Sequence, residues 1–250
     1  MNYKDDNFTP VALKRMIDAN TQESAHQHAQ GQLIWMSQGM LQGQTEHQQW
    51  LIQKDMLVWI PPFMMHQAQN RYRSTLGVVY LPTPIAQSWP GELRLVEASR
   101  FAIGIIDKLI RNDELSSEQR TLLIGFLRGE LKQAKRSENL IPLPSDPRLT
   151  KITDCLIQQP HLRDSLAQWG QKVGASERTL ARLFIKETGL NYRNWYHRLR
   201  RNETLKGLQD GLSNEQMAEK LGFSSGDSFS HWVQRAFQCS PRELRLSLKG

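Results

Sequence analysis

The sequence predicts an α+β protein, in which a β-barrel and a helical hairpin precede an all-α domain with two helix-turn-helix motifs joined by a long helix. Short β-forming segments alternate with turn residues over the first part of the chain. Apolar residues then take up helical spacing, and the last part repeats one helix-turn-helix pattern. These three observations divide the chain into a barrel over 1–92, a hairpin over 93–136, a linker over 137–147 and the all-α domain over 148–250.

The barrel is predicted from short segments rich in apolar and β-forming residues. Gly39, Gly43, Asp55 and the Pro61–Pro62 pair separate these segments, and residues of these types favour turns. Short strands at this spacing are typical of small barrels and sandwiches. The predicted strands cover 32–37, 40–45, 49–52, 56–60, 67–72 and 76–81.

The helical hairpin is predicted from two apolar faces with helical spacing, which 112–117 separates. The faces hold Phe101, Ile105, Ile106, Leu109 and Ile110, and Leu122, Leu123, Phe126, Leu127 and Leu131. Faces this wide must be buried on the barrel or on a second copy of the chain, so the hairpin is a candidate element for forming a homodimer. Three prolines within 137–147 then disfavour helix and strand, which predicts the linker.

Two copies of one helix-turn-helix pattern cover 166–189 and 217–237. Each copy has a small residue four positions before a glycine, and a serine before the next helix. These residues are Gly170, Gly174 and Ser176 in the first copy, and Ala218, Gly222 and Ser225 in the second. The small residue lets helices cross closely, the glycine accepts a left-handed turn, and the serine hydroxyl can cap free backbone N–H groups. The matched spacing makes the pair more specific than one motif alone.

A long helix is predicted between the two motifs, from the cap Asn191 to about Gln209. At about 1.5 Å per residue this helix is roughly 28 Å long, and successive major-groove openings on one DNA face lie roughly 34 Å apart. A rigid spacer of this length can place two recognition helices in adjacent grooves. Capping boxes at Ser213–Gln216 and Ser240–Glu243 are predicted to start the first helix of the second motif and the last helix of the chain.

The net charge of +7 lies wholly in the second part of the chain. Residues 148–250 contain 17 Lys and Arg against 10 Asp and Glu, whereas residues 1–147 contain 15 of each. A basic surface attracts phosphate backbones, so nucleic acid is the predicted partner. No apolar run approaches the roughly 20 residues that span a bilayer. The first ten residues lack the apolar core of a signal peptide, and Cys155 and Cys239 have no framework spacing, which predicts a cytoplasmic protein without membrane contact.

Residues 164–245 resemble the DNA-binding domain of AraC-family transcription regulators. The resemblance rests on RTLARLFIKETG (178–189), LRRNETLKGLQDG (199–211), LGFSSGDSFS (221–230) and CSPRELR (239–245). It implies that each helix-turn-helix puts its second helix into the major groove of double-stranded DNA, and that the long helix links the two halves.

Helix geometry indicates which residues of the two second helices face away from the domain core. Arg178 and Arg182 lie four apart on one face, where each can contact guanine through two hydrogen bonds, and Ala181 between them can touch a thymine methyl group. The alternative for one of these arginines is a phosphate or Glu177. The predicted DNA-binding residues are Ser176, Arg178, Thr179, Ala181 and Arg182 in the first motif, and Ser225, Gly226, Asp227, Ser230, His231 and Arg235 in the second.

The second motif departs from the family pattern, in which an arginine commonly stands at the position of His231 and a phenylalanine at that of Val233. It also carries Asp227, so we expect weaker or more degenerate base readout from its second helix. Phosphate contacts are expected from Arg235 and from further arginines, namely Arg193, Arg198, Arg200, Arg201, Arg242 and Arg245.

The N-terminal part resembles cupin barrels over two short motifs, which hold His26, His28, Gln32 and Gly39, and then Pro61, His66 and Asn70. The resemblance implies a divalent transition metal on His26, His28 and His66, and alternate residues of one strand can bring the first two together. Gln32 stands at the position of the acidic ligand, and Phe63 at that of a glycine. A neutral amide binds a dication weakly. Three interpretations stay open: a zinc, nickel or copper site, a metal-free ligand pocket, or ordinary polar residues of the barrel.

Together the two halves resemble cupin-type AraC regulators. This implies a bacterial transcription regulator controlled by a small molecule or metal in the barrel, with RNA polymerase as a partner if it activates transcription, and it implies no enzyme. The predicted effector-binding residues are His26, His28, Gln32, Trp35, Trp59 and His66. One alternative is a metal-dependent cupin enzyme fused to a DNA-binding module, but Gln32 and the lack of a convincing base or nucleophile near the histidines count against it. The other is an architectural protein that coats DNA, but Arg178 and Arg182 count against that.

Overall fold

The computed structural model describes residues 9–70, 72–111 and 115–249 of the chain. The chain divides into two compact units. The first extends to Ser137 without Glu46–Gln49, and the second comprises Glu46–Gln49 and the chain from Glu138. The first unit contains antiparallel sheets and the second is mainly helical, so the predicted α+β class is confirmed. Within the described residues, no helix is both long and apolar enough to cross a membrane.

Two antiparallel sheets form the framework of the first unit. Its described strands are β1 (Val11–Ile17), β2 (Thr21–His26), β3 (Gly31–Gln38), β4 (Met40–Gln44), β5 (Gln48–Gln53), β6 (Met56–Ile60), β7 (His66–Asn70), β8 (Ser74–Leu81) and β9 (Arg94–Glu97). The sheet orders are β1-β8-β3-β6-β9 and β5-β4-β7-β2. In the register of these sheets Gln32 lies opposite Tyr80, and His26 lies opposite His66. The strands predicted between residues 32 and 81 are all present.

Three strands of the first unit are not predicted from the sequence. β2 has the sequence TQESAH, without a large apolar residue, and β1 alternates between exposed and half-buried positions. Both strands lie at the edge of a sheet, where backbone hydrogen bonds to β7 and β8 compensate for limited apolar burial. β9 occupies the region where the hairpin was expected to begin, because Leu95 and Val96 are buried in a strand paired with β6.

The helices of the first unit are α1 (Thr83–Ala86), α2 (Arg100–Arg111) and α3 (Ser117–Gln133). α2 and α3 pack onto the first sheet, and Ala102, Ile106 and Leu127 lie fully buried in that contact. Ser116 and Gln119 form a capping box that starts α3. The predicted break at 112–117 includes 112–114, which lie outside the described residues.

Part of the predicted hairpin face stays on the outside of the first unit. Phe101, Leu122 and Phe126 are 54%, 57% and 55% exposed. The rings of Phe101 and Phe126 meet edge to face, with 5.8 Å between their centroids. The sheet therefore covers only one side of each helix, and these aromatic and aliphatic side chains form an apolar patch, called here the hairpin patch.

The second unit contains β10 (Leu140–Pro142), α4 (Pro147–Gln158), α5 (Leu166–Val173), α6 (Glu177–Thr188), α7 (Tyr192–Gln209), α8 (Asn214–Leu221), α9 (Gly226–Phe237) and α10 (Pro241–Lys249). The two helix-turn-helix motifs are confirmed as α5–α6 and α8–α9, and α7 starts at the predicted cap Asn191. Gly174 and Gly222 each have a φ of 68°, the left-handed conformation that the turns require. The predicted capping boxes at Ser213 and Ser240 also form.

The segment just before α4, within the predicted linker 137–147, is bonded to α7. The indole Nε1 of Trp195 donates to the carbonyl of Pro142 at 2.6 Å, and the guanidinium of Arg198 donates to that of Leu140 at 3.0 Å. The amide of Asn202 donates to the carbonyl of residue 139 at 3.0 Å. These donors lie three and four residues apart, so an extended segment runs along one face of the helix.

Gly43 on β4 leaves room for the indole ring of Trp50, because a Cβ at position 43 would lie 1.8 Å from that ring. We expect Gly43→Ala to lower the free energy of unfolding by about 1–3 kcal/mol, the usual cost of overpacking a core. Denaturant unfolding of the full-length protein measures this change. Gly91→Ala is the matched control, since no described atom lies within 4 Å of a Cβ there. Equal effects of the two substitutions would contradict this account of the packing.

Candidate nucleic-acid interface and barrel site

The first helix-turn-helix motif presents a row of side chains on α6. The hydroxyl of Ser176 accepts the backbone N–H of Thr179 at 3.1 Å and so caps the helix. Phe184 is fully buried on the inner face, and Arg178 and Arg182 are exposed on the outer face. Within the described part of the chain, neither guanidinium has a hydrogen-bond or ion-pair partner. On the same surface, Glu177 and Ile185 are exposed, and Thr179 and Ala181 are half-buried.

The second motif presents a less basic surface on α9. The hydroxyl of Ser225 accepts the backbone N–H of Ser228 at 3.2 Å, which starts the helix. Asp227, His231 and Arg235 lie four residues apart and are all exposed. This row carries one carboxylate and one guanidinium, whereas α6 exposes two guanidinium groups four residues apart.

Two predicted DNA-binding residues of α9 instead contact α8. Gly226 is buried, and a Cβ at this position would lie 2.5 Å from the carboxylate of Glu215. The hydroxyl of Ser230 accepts the amide N–H of Asn214 at 3.0 Å and donates to the carbonyl of Gly226 at 2.8 Å. The expectation that Gly226 faces outward is therefore wrong, because this position sets the close approach of α8 and α9. Ser230 is half-buried and holds the same contact.

Two of the α7 arginines that are predicted to contact phosphates, Arg198 and Arg201, are held inside the second unit. Arg198 is bonded to the carbonyl of Leu140, as described above. Arg201 forms an ion pair with Glu138 at 3.3 Å and lies 4.1 Å from the centroid of the Phe237 ring. Arg193 remains exposed. Arg245 is likewise engaged, since it donates to the carbonyl of Leu212 at 2.9 Å and the amide oxygen of Asn214 at 2.7 Å.

Arg200 lies in an aromatic cluster between α7 and the second motif. Its guanidinium carbon is 3.9 Å from the centroid of the Phe223 ring and 5.4 Å from that of Trp232, and Arg163 approaches Phe223 at 5.4 Å. The same guanidinium donates to the carbonyl of Leu221 at the end of α8, at 2.8 Å. Burial lowers the pKa of Arg200 to about 10. This group therefore fixes the second motif to α7 and is removed from the surface available to phosphates.

The barrel site brings His26, His28 and His66 together. The ring centroids are 4.4 Å apart for His26 and His66, 5.1 Å for His28 and His66, and 6.0 Å for His26 and His28. One potential ligand atom from each residue lies within 4.8 Å of the other two. The convergence differs from the expected arrangement, because His26 ends β2 whereas His28 lies in the following loop and not on the same strand. The carbonyl of His28 accepts the N–H of Phe63 at 2.8 Å, which holds that loop against the segment leading to His66.

Each of the three imidazoles is oriented by a backbone carbonyl. Nδ1 of His26 lies 2.8 Å from the carbonyl oxygen of Ser24, and Nδ1 of His66 lies 2.8 Å from that of Met64. Nδ1 of His28 lies 2.6 Å from the carbonyl oxygen at position 30. A carbonyl only accepts, so a hydrogen bond to it requires a proton on Nδ1, and a neutral imidazole of this tautomer has its lone pair on Nε2. At His28 the amide oxygen of Gln32 lies 3.4 Å from Nε2 and faces that position. Burial lowers the pKa of His66, which favours its neutral form. These features fit the arrangement by which proteins orient histidine ligands toward a metal.

Gln32 and Tyr80 lie next to the histidine cluster. The amide oxygen of Gln32 is 3.4 Å from Nε2 of His28, and its amide nitrogen donates to the hydroxyl of Tyr80 at 3.2 Å. Gln32 is 7% exposed. Burial raises the pKa of Tyr80, so both groups beside the cluster are neutral near physiological pH.

A small cavity of about 20 Å³, the room of about one water molecule, lies between the two sheets of the first unit and reaches the cluster at His66. Its lining comprises Arg15, Ile17, Thr21, Glu23, Gln32, Ile34, Leu41, Trp50, Ile60, His66, Ala68, Asn70, Leu76 and Val78. Gln32 and His66 of the predicted effector-binding set therefore line it. Trp35 and Trp59 do not, because they pack in the cluster beneath α2 and α3 on the other face of the first sheet. The assignment of these two tryptophans to the pocket is wrong, since neighbouring residues of a strand point to opposite faces.

Arg15, Glu23 and Trp50 are lining residues that the sequence did not identify. Arg15 and Glu23 lie on β1 and β2, which the sequence does not predict. No pattern in the sequence therefore indicates that these two side chains face inward. Trp50 lies on a predicted strand. Because side chains alternate along a strand, one inward-facing residue on that strand identifies the face on which Trp50 lies.

Comparison with known proteins identifies a helix-turn-helix region in this chain. A family model described as a helix-turn-helix domain matches residues 169–247. The HTH-type transcriptional regulator NimR of Escherichia coli is 30% identical over 244 residues, which cover 96% of this chain and 89% of NimR. The HTH-type transcriptional activator RhaS of Escherichia coli is 25% identical over 197 residues, which cover 75% of this chain and 69% of RhaS.

A solved structure of a transcriptional regulator with an AraC-type DNA-binding domain, from Chromobacterium violaceum, is 32% identical to this chain. The match covers 41% of this chain and 92% of the solved chain, with a TM-score of 0.36. The similarity to NimR extends over most of both chains. The region matched by the helix-turn-helix family model contains the second motif and overlaps most of the first. The chain therefore belongs to the AraC family of helix-turn-helix transcription regulators.

Proposed function

We propose that this regulator reads its DNA site mainly through α6, and that α9 adds weaker contacts in the adjacent major groove. The observation that carries the proposal is the pair Arg178 and Arg182, exposed and four residues apart on α6. A guanidinium placed over guanine makes two parallel hydrogen bonds to O6 and N7, which distinguishes this base from the others. Arg235 on α9 and Arg193 on α7 supply phosphate contacts that orient the domain without reading bases.

The barrel is proposed to be the sensor of the regulator. His26, His28 and His66 would hold a divalent transition metal through their Nε2 atoms, and the small cavity that His66 lines would widen to take a small-molecule effector. A dication on these histidines would supply a fixed positive charge next to the cavity wall at His66. The effector changes DNA binding only to the extent that it binds one arrangement of the protein more tightly than another. The relatives are transcription regulators, which favours this function over that of a metal-dependent enzyme.

Two further partners follow from this function. A homodimer would bury the hairpin patch of Phe101, Leu122 and Phe126, since exposed apolar patches of this kind mark contact surfaces. If the protein activates transcription, RNA polymerase is the partner that the DNA-bound regulator recruits. Both partners would be met in the bacterial cytoplasm, where the DNA lies.

The reading of bases by α6 is tested by Arg182→Ala. We expect the affinity for the selected DNA site to fall by about 10- to 100-fold, because a bidentate arginine–guanine pair contributes about 1–3 kcal/mol of discrimination. Affinity for unrelated DNA should change much less, since phosphate contacts remain. The site is first selected from genomic fragments with the full-length protein, and binding is then measured by fluorescence anisotropy at fixed salt.

Lys151→Ala is the control for this experiment, because it removes an exposed positive charge on α4, outside both motifs. Equal losses on specific and unrelated DNA in Arg182→Ala, matching those of Lys151→Ala, would support the architectural function instead.

The metal site is tested by titrating purified, metal-free protein with zinc. We expect one zinc ion per chain, and at least about 10-fold weaker binding in His66→Ala, because loss even of a group that only orients a ligand costs 10- to 100-fold in affinity. Calorimetry with a competing chelator measures both values. His161→Ala replaces an exposed histidine of the second unit and should leave zinc binding unchanged. Zinc binding that is the same in both variants would rule out the cluster.

The homodimer is tested by sedimentation of the full-length protein over a range of concentrations. We expect the wild-type mass to rise toward that of a dimer, and Phe126→Asp to prevent this by placing a charge in the hairpin patch. Gln133→Asp introduces the same charge at an exposed position near the end of α3 and should still associate. A monomer mass for the wild type at every concentration would overturn the proposal.

A further inference from the structure

The second helix of the first motif, α6, carries an isoleucine on its outer face. Ile185 is 58% exposed, whereas Leu180, Leu183 and Phe184 of the same helix are at most 8% exposed. Isoleucine is among the residue types that proteins most often bury. A single exposed apolar residue is nevertheless ordinary on a protein surface, so its neighbours decide whether it has a role.

The neighbours of Ile185 on this face are the two arginines proposed to read guanine. At about 100° per residue, Ile185 lies about 20° from Arg178 and about 60° from Arg182 around the helix axis. All three side chains are exposed and share an arc of about 60°. If the two guanidinium groups reach base edges in the major groove, the isoleucine enters the same groove, because all three side chains extend from one rigid helix.

The major groove offers an apolar side chain one matching group, the C5 methyl of thymine. An isoleucine over O6 and N7 of guanine, or over the amino group of adenine, would take water from these atoms without replacing its hydrogen bonds. Contact with a thymine methyl instead removes apolar surface of both partners from water. An isoleucine in this groove therefore favours thymine and disfavours the purines.

We propose that Ile185 is a specificity residue of α6 and packs against the methyl group of a thymine. This inference rests on the proposed base reading by α6. At about 1.5 Å per residue, Ile185 lies about 4.5 Å beyond Arg182 and about 10.5 Å beyond Arg178 along the helix axis. Successive base pairs are about 3.4 Å apart. The thymine therefore lies about one or two base pairs from the guanine of Arg182, on the side away from Arg178.

A double-mutant cycle between protein and DNA tests this contact. Each thymine of the selected DNA site is replaced in turn by deoxyuridine, which lacks only the methyl group, and binding of the full-length protein is measured by fluorescence anisotropy at fixed salt. We expect one replacement, at the stated position, to weaken wild-type binding about three- to fivefold, since burying one methyl group contributes about this much. The same replacement should leave binding by Ile185→Ala unchanged. Methyl contacts of other residues, such as Ala181, remain in both proteins and cancel.

Leu246→Ala is the matched control, because it removes an isomeric side chain from a 62% exposed position on α10, outside both motifs. It should show the same loss with deoxyuridine as the wild type. The inference is overturned if the selected site has no thymine at the stated position, or if no replacement distinguishes Ile185→Ala from the wild type. A loss of affinity in Ile185→Ala that is equal on thymine and deoxyuridine DNA also overturns it, and would indicate a contact with the DNA backbone or with another protein.

Arg182→Ala, measured on the same DNA, separates this inference from the function on which it rests. A loss of specific affinity in Arg182→Ala, without any thymine coupled to Ile185, rejects only the isoleucine contact. Equal losses on specific and unrelated DNA in Arg182→Ala reject base reading by α6, and the isoleucine contact with it.

Discussion

The helix α7 must support two helix-turn-helix motifs at once, and the arrangement of the second unit depends on this requirement. Its first half contributes Trp195 and Leu199 to the apolar core around α4–α6. Its second half contains Gly207, which lets the side chain of Met217 on α8 approach closely. Between these two regions Arg200 packs against Phe223 and bonds to the end of α8. One helix thus fixes the position of both recognition helices.

This requirement determines which arginines of the second unit stay exposed and available to contact DNA. Arg198, Arg200 and Arg201 are used to hold neighbouring segments, and Glu203 is buried between Lys206 and Lys220 at 2.9 and 3.1 Å. Burial alone would raise the pKa of Glu203, but the two ammonium groups lower it and keep the carboxylate charged. Much of the basic composition of α7 therefore serves packing within the unit. The arginines of α6 stay exposed, without such a contact, and are available for the base reading proposed above.

In the first unit, the two faces of the first sheet differ in what they pack against. On one face of the first sheet, Trp59 packs against Trp89 beneath the helical hairpin, with 4.7 Å between the ring centroids. On the other face, Gln32 lines a cavity, and His66 of the second sheet lines the same cavity from the opposite side. The hairpin packs on the first sheet, whereas His26 and His66 face each other on β2 and β7 of the second sheet. The histidine cluster therefore depends on the pairing of these two strands and on the loop that carries His28.

Local chemistry in the sequence determined the helices of the second unit, because caps, left-handed glycines and apolar spacing act within a few residues. The start of α7 at Asn191 and the turn at Gly174 follow from such rules. The exposed positions of Arg178 and Arg182 also follow, since they need only the helical period. In the first unit the central strands follow from the sequence for the same reason, but the polar edge strand β2 does not.

Tertiary structure alone decided which side chains meet across elements. Trp50 lines the cavity because it lies on the inner face of the second sheet, whereas Trp59 lies on the outer face of the first sheet, beneath the hairpin. Which face of a strand turns inward depends on the packing of its sheet against the rest of the unit. Gly226 packs on α8, and Arg200 on Phe223, because the distance between helices is set by the whole unit. The sequence marked His26, His28 and His66 as a set only through a family resemblance. Their convergence depends on backbone hydrogen bonds between distant segments, which no local pattern records.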